Sequence, residues 1–190
     1  MSRARIGLAV LAICVALAIF LIARGDDDAN LLRGNGGNSV GLSTQPGKTF
    51  TFGVPRVYNR TGRPITLRSV ELADATPGMK LIGAFAAGPG KDRSAIQSLD
   101  RGLPPPASRK AMQPIDGFVV APKGTRDGRQ GAELILELKV THPGLFRFEK
   151  IRVAYETADG GTHEQLFAHE LSACAKSPPG SPPVSCRNQG

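Results

Sequence analysis

Residues 132–141 read Ala-Glu-Leu-Ile-Leu-Glu-Leu-Lys-Val-Thr, and this alternation limits the possible folds more than any other stretch. With a period of two, Leu134, Leu136, Leu138 and Val140 share one face. Glu133, Glu137, Lys139 and Thr141 take the other. Wound as a helix, the same residues would drive charges into the apolar stripe. A half-buried strand separates them, and such a strand needs neighbours and a second layer over its apolar face.

The same rhythm recurs along the chain. Thr49-Phe50-Thr51-Phe52 alternates, with Phe50 and Phe52 expected inward. Asn59 to Pro64 is a turn cluster, and Ile65-Thr66-Leu67 opens a strand reaching Val70 and Leu72, with a bulge at Arg68-Ser69. Met79 to Phe85 predicts a strand with Met79, Leu81 and Phe85 inward. After the turn His142-Pro143-Gly144, residues 146–156 place Ile151, Val153 and Tyr155 on one face. Asp159-Gly160-Gly161 is a tight-turn signal, and Thr162 to Ser172 pairs back as the last strand. Gly 23 and Pro 15 favour many turns over long helices. Seven or eight short antiparallel strands predict a single immunoglobulin-like β-sandwich over residues 47–174. The antibody hallmark is missing, because the chain has no Trp and no cross-sheet cysteine pair.

Ahead of this domain, Ile6 to Ala23 is unbroken and apolar, with Arg3 and Arg5 before it. A helix of that length spans about 27 Å, close to a hydrocarbon core. The basic flank keeps residues 1–5 as a cytoplasmic tip and sends the rest across. The expectation is an uncleaved, single-pass transmembrane signal anchor at 6–23 in the cell membrane. A cleaved leader would have a shorter apolar run and a small-residue site at its end. Cys14 lies inside the run after Ile13, which fits a bilayer residue better than a lipidated one. Residues 24–46, with Gly34-Asn35-Gly36-Gly37-Asn38, predict a flexible stalk. Residues 86–116 break the strand rhythm with Gly88-Pro89-Gly90 and Leu103-Pro104-Pro105-Pro106, predicting an irregular insertion. Residues 175–190 form a Pro/Ser-rich tail bracketed by Cys174 and Cys186, which are expected to form one disulfide in an exported domain.

No stretch supplies a catalytic constellation. Gly47-Lys48-Thr49 ends like a phosphate-binding loop, but Leu42 stands where a Gly is required and a β-like run follows. Gly88-Pro89-Gly90-Lys91 fails in turn, because Asp92 replaces the hydroxyl residue. There is neither a Gly-x-Ser-x-Gly elbow nor a His-Glu-x-x-His pair. Asn59-Arg60-Thr61 matches the glycosylation sequon, an accidental match in an Ala/Gly/Arg/Pro-rich chain of bacterial type. His163 and His169 share strand parity, and with Met79 or Met112 they define an alternative reading, a copper carrier. The net charge of +8 is partly concentrated in 91–129, where eight basic residues face four acidic ones. Aromatic interleaving is absent, so nucleic acid is not an expected partner.

The combination resembles single-pass bacterial envelope proteins built as short tip, anchor, Gly-rich stalk and immunoglobulin-like sandwich. The likeness rests on 6–23, on 50–85 with its Asn-Arg-Thr-Gly-Arg-Pro turn, and on Pro143-Gly144 leading into 146–155. It implies a non-catalytic, extracytoplasmic interaction or accessory module, with no cofactor, held to the membrane and bound to a protein partner of the envelope. The expected contacts are Lys91, Arg93, Arg101, Arg109 and Lys110 in the insertion.

Overall fold

The computed structural model describes residues 30–34, 39–88, 112–177, 179–180 and 186. Leu32–Gly190 is a compact unit of its own. Its strands are β1 (Leu32–Gly34), β2 (Ser39–Thr44), β3 (Thr49–Asn59), β4 (Ile65–Ala73) and β5 (Met79–Ala87). They continue with β6 (Met112–Pro114), β7 (Val119–Val120), β8 (Ala132–Val140), β9 (Gly144–Thr157) and β10 (Thr162–Ala175). A short helix, α1 (Arg126–Gln130), precedes β8.

The strands form two sheets, ordered β1-β3-β8-β5-β6 and β2-β10-β9-β4-β7. Read as letters, β1-β3-β8-β5 is the A-B-E-D sheet of an immunoglobulin-like sandwich, and β4-β9-β10 is C-F-G. The expected mainly β, two-layer architecture is therefore present. At its centre, Phe52 on β3 meets Phe148 on β9 edge to face, with ring centroids 5.8 Å apart. Strands B and F are the pair that antibody domains join by a disulfide. Here an aromatic contact crosses the same gap, adding about 0.5–1.5 kcal/mol to the burial of the two rings.

Several sequence expectations need correction. The domain begins at Leu32, so part of the expected stalk at 24–46 is strand. β1 pairs antiparallel with β3, and Leu32 is fully buried. β2 pairs with β10 in parallel, so the sandwich is not wholly antiparallel. The alternation of Val40 and Leu42 marked β2, but intervening Ser and Gly residues diluted it. Phe85 does not point inward. The register of β5 against β8 shifts between Leu81 and Gly83, which reverses the parity of everything after it. Ala84 and Ala86 then oppose Leu136 and Leu134, while Phe85 opposes Ile135 on the outer face. There Phe85 and Met112 pack against Ala87 and Ile135. This second cluster buries both faces of β8, and Glu133 is also buried, against its expected place on an exposed face. The expected bulge in β4 falls where the sequence placed it, between Leu67 and Ser69.

The insertion is narrower than 86–116. β5 runs through Ala87, β6 returns beside it at Met112, and the Phe118 carbonyl accepts from the Leu67 N–H at 2.8 Å. The apolar run at 6–23 lies outside the described residues, as does most of the tail. Among the described residues no helix is long and apolar enough to cross a membrane.

The domain boundary is testable. A fragment of residues 30–190 is expected to unfold in urea in one cooperative transition. Starting at residue 47 removes Leu32 and the β2 edge, and should cost at least about 3 kcal/mol, the scale of losing one fully buried leucine. Equal unfolding midpoints for the two fragments would return the start of the domain to residue 47.

Candidate functional site at the chain-entry end

The end of the sandwich where the chain enters is closed by side-chain amides. Leu32 opposes Asn59 in the β1–β3 ladder, and Arg33 opposes Tyr58. On the other sheet, Gln165 of β10 reaches across to the same residue. Its Nε2 donates to the Leu32 carbonyl at 2.7 Å, and its Oε1 accepts from the Leu32 N–H at 3.2 Å. Asn59 is 2% exposed and holds three segments together. Its Nδ2 donates to the carbonyls of Arg63 (2.6 Å) and Val120 (3.1 Å), while its Oδ1 accepts from the Thr61 N–H (2.8 Å). The Lys123 N–H then donates to the Thr61 carbonyl at 2.8 Å. With its amide committed and buried, Asn59 is not a glycan acceptor in the folded domain.

The segment after Lys123 turns into α1. Thr125 caps it, accepting from the Gly128 N–H at 3.0 Å. Gly128 is required by close approach, because a Cβ there would lie 1.9 Å from the Pro122 carbonyl oxygen. Gly131 ends the helix at φ +68°, the left-handed region, beside the Tyr58 ring.

These constraints enclose a cleft of about 420 Å³ lined by Arg33, Tyr58, Arg60, Lys123 and Arg129. Among the described residues no carboxylate lines it. Among the described residues, none of its four cations is ion-paired, whereas Arg68 and Arg152 on the β4–β9 sheet pair with Glu156, Asp116, Glu71 and Glu164. Arg129 is steadied by the Gly124 carbonyl at 3.1 Å. Four positive groups lining one cleft, with no counter-charge among the described residues, favour an anion with several acceptor oxygens. Sequence reasoning missed this site. Its cations stand at 33, 60, 123 and 129, and only the strand order brings them together.

The residues that the sequence singled out lie elsewhere. Lys91, Arg93, Arg101, Arg109 and Lys110 fall outside the described residues. Cys174 of β10 and Cys186 are bonded as expected, with Cα atoms 5.6 Å apart. His163 stacks on Tyr155, with ring centroids 5.4 Å apart. His169 is buried, and its Nδ1 has no hydrogen-bond partner among the described residues. Six residues along a strand separate the two histidines by roughly 20 Å, too far for one metal ion. No group of three His, Cys, Asp or Glu able to hold a metal occurs among the described residues.

No family model and no curated protein matches the chain. Among solved structures, it is similar to the ASH/PapD-like domain 7 of human CEP192. The identity is 11%, the TM-score 0.40, and the match covers 79% of this chain and 88% of that one. It is also similar to the VesB protease of Vibrio cholerae, at 8% identity and TM-score 0.34, covering 77% of this chain and 32% of that one. The secreted serine protease VesC of Vibrio cholerae matches at 14% identity and TM-score 0.34, covering 80% of this chain and 25% of that one. The chain thus spans about a third and a quarter of those two proteases.

Two outcomes are expected. Replacing Asn59 with Ala removes its amide's bonds to the Arg63 and Val120 carbonyls and to the Thr61 N–H, and should lower the unfolding free energy by about 1–3 kcal/mol in urea titration. His169 sets a pH dependence, because burial pushes its imidazole down from 6.5 to about 4. The unfolded chain takes up that proton below pH 6.5, and the folded domain resists it until about 4. Stability is therefore full above the upper value and falls with decreasing pH, by about 3 kcal/mol in all. Urea midpoints compared across this range should show a flatter profile for His169→Leu than for the unsubstituted protein.

Proposed function

We propose that the chain is a non-catalytic interaction module of the bacterial cell envelope. In this reading residues 6–23 are its single membrane anchor, the amino terminus is cytoplasmic, and the sandwich is extracytoplasmic and binds a protein partner. The observation that carries the reading is the outer edge of β2. The other edge strands, β1, β6 and β7, are two or three residues long, whereas β2 runs for six. Its sequence, Ser-Val-Gly-Leu-Ser-Thr, is free of charge. One side pairs with β10, and among the described residues no strand pairs with the other. Long uncharged edges are normally blunted in monomeric proteins, and an open one is a template for strand addition by a partner. The Cys174–Cys186 bond supports an oxidising compartment, outside the cytoplasm.

Cross-linking of intact cells carrying the tagged full chain, followed by identification of what co-purifies, tests this reading. Gly41 has open space where a side chain would project, so Gly41→Lys places a charge on the edge without a clash. The expected result is a specific partner captured by the unsubstituted chain, reduced at least tenfold in Gly41→Lys at unchanged thermal stability. A chain lacking residues 89–111 serves alongside. Loss of the partner only in that deletion would move the contact to the insertion and its five cations. A partner kept in both would leave the edge without a role, and none in any arm would end the interaction reading.

A further inference from the structure

We infer that the cleft formed by Arg33, Tyr58, Arg60, Lys123 and Arg129 binds the phosphate group of an anionic membrane lipid. The inference rests on the anchor reading and adds a ligand class to it. The chemistry selects phosphate first. Three of the four cations are guanidinium groups, whose planar forks match phosphate oxygens two at a time, and Lys123 adds a compact point charge. A lone carboxylate would leave most of that charge unanswered. Tyr58 gives the cleft an aromatic wall with a polar tip, a side chain suited to the boundary between head groups and water.

The placement then selects the source. The chain joins the domain at this end, because Leu32 and Arg33 pair with Asn59 and Tyr58. Only residues 24–31 separate the apolar run from Leu32, and eight extended residues reach at most about 28 Å. An anionic bilayer surface attracts basic groups within about a Debye length. Lys80 and Lys139 stand at the opposite end of the sheet, paired with each other, where β3 begins at Thr49. They provide an internal reference for any measurement on Lys123.

The test uses the full chain in lipid nanodiscs, with lysine acylation rates read residue by residue by mass spectrometry. Discs of phosphatidylcholine are compared with discs containing phosphatidylglycerol, and with phosphatidylcholine discs plus pyrophosphate. The expected result is that phosphatidylglycerol slows acylation of Lys123 at least fivefold relative to Lys80. Arg33→Gln combined with Arg60→Gln, two exposed positions whose side chains make no hydrogen bond among the described residues, should abolish that protection. Equal rates in both lipids would overturn the inference, as would full protection in the double variant. Protection by pyrophosphate alone would also overturn it, in favour of a soluble phosphorylated ligand. Failure of the chain to enter discs would count against the anchor reading instead. Free vesicles of the same two lipids would then decide the head-group site by the same footprint, with the same criteria.

Discussion

Two side-chain amides hold the end of the sandwich where the two sheets could most easily part. A strand that leaves one sheet for the other must abandon its ladder, and β1 does so after three residues. Gln165 supplies both hydrogen bonds that a neighbouring strand would have given to Leu32. Asn59 does the same for the β3–β4 turn and the end of β7. Gly34 completes the closure by absence, since a Cβ there would sit 2.7 Å from the Phe167 ring. The basic cleft depends on this corner. Arg33 and Arg60 flank the two clamped residues, and Lys123 is tied to the turn through the Thr61 carbonyl.

Away from that corner, stability is shared between an inner core and a smaller outer one. The inner core is aromatic at its centre, through Phe50, Phe52, Phe146, Phe148 and Tyr155. The outer one exists because the bulge in β5 rotates Phe85 onto Ile135. Met112 of β6 packs on the same cluster, so the strands on either side of the insertion are joined by apolar contact as well as by their ladder. The chain therefore leaves for the insertion from, and returns from it to, strands that are packed on each other.

Legibility from sequence followed the range of the signal. The alternation at 132–141, the aromatic pair at 50 and 52, and the turns at 59–64 and 159–161 are local patterns, and each sits where it was expected. Phe85 failed because alternation is a count, and one extra residue at the bulge reverses every later assignment. β1 and β2 failed for another reason. Val40 and Leu42 are isolated among Gly and Ser, Leu32 stands in a stretch too short to alternate, and the partners that cover them on β10 are more than a hundred residues away. The cleft was illegible for the same reason on a larger scale. No local pattern links residues 33, 60, 123 and 129, whereas the cations at 91–110 cluster in the sequence itself and drew attention for that.

The parallel pairing of β2 with β10 has a mechanical consequence. The chain enters the ladder at Ser39, opposite Glu170, and leaves it at Ala175, opposite Thr44. A pull between the incoming and outgoing segments therefore slides the two strands along each other and loads all of their rungs at once. A hairpin such as β9–β10, pulled at its ends, would instead unzip rung by rung. The Cys174–Cys186 bond sharpens this geometry, because tension arriving through residue 186 passes directly to the last rungs of β10. The β2–β10 ladder is thus a shear joint rather than a zipper.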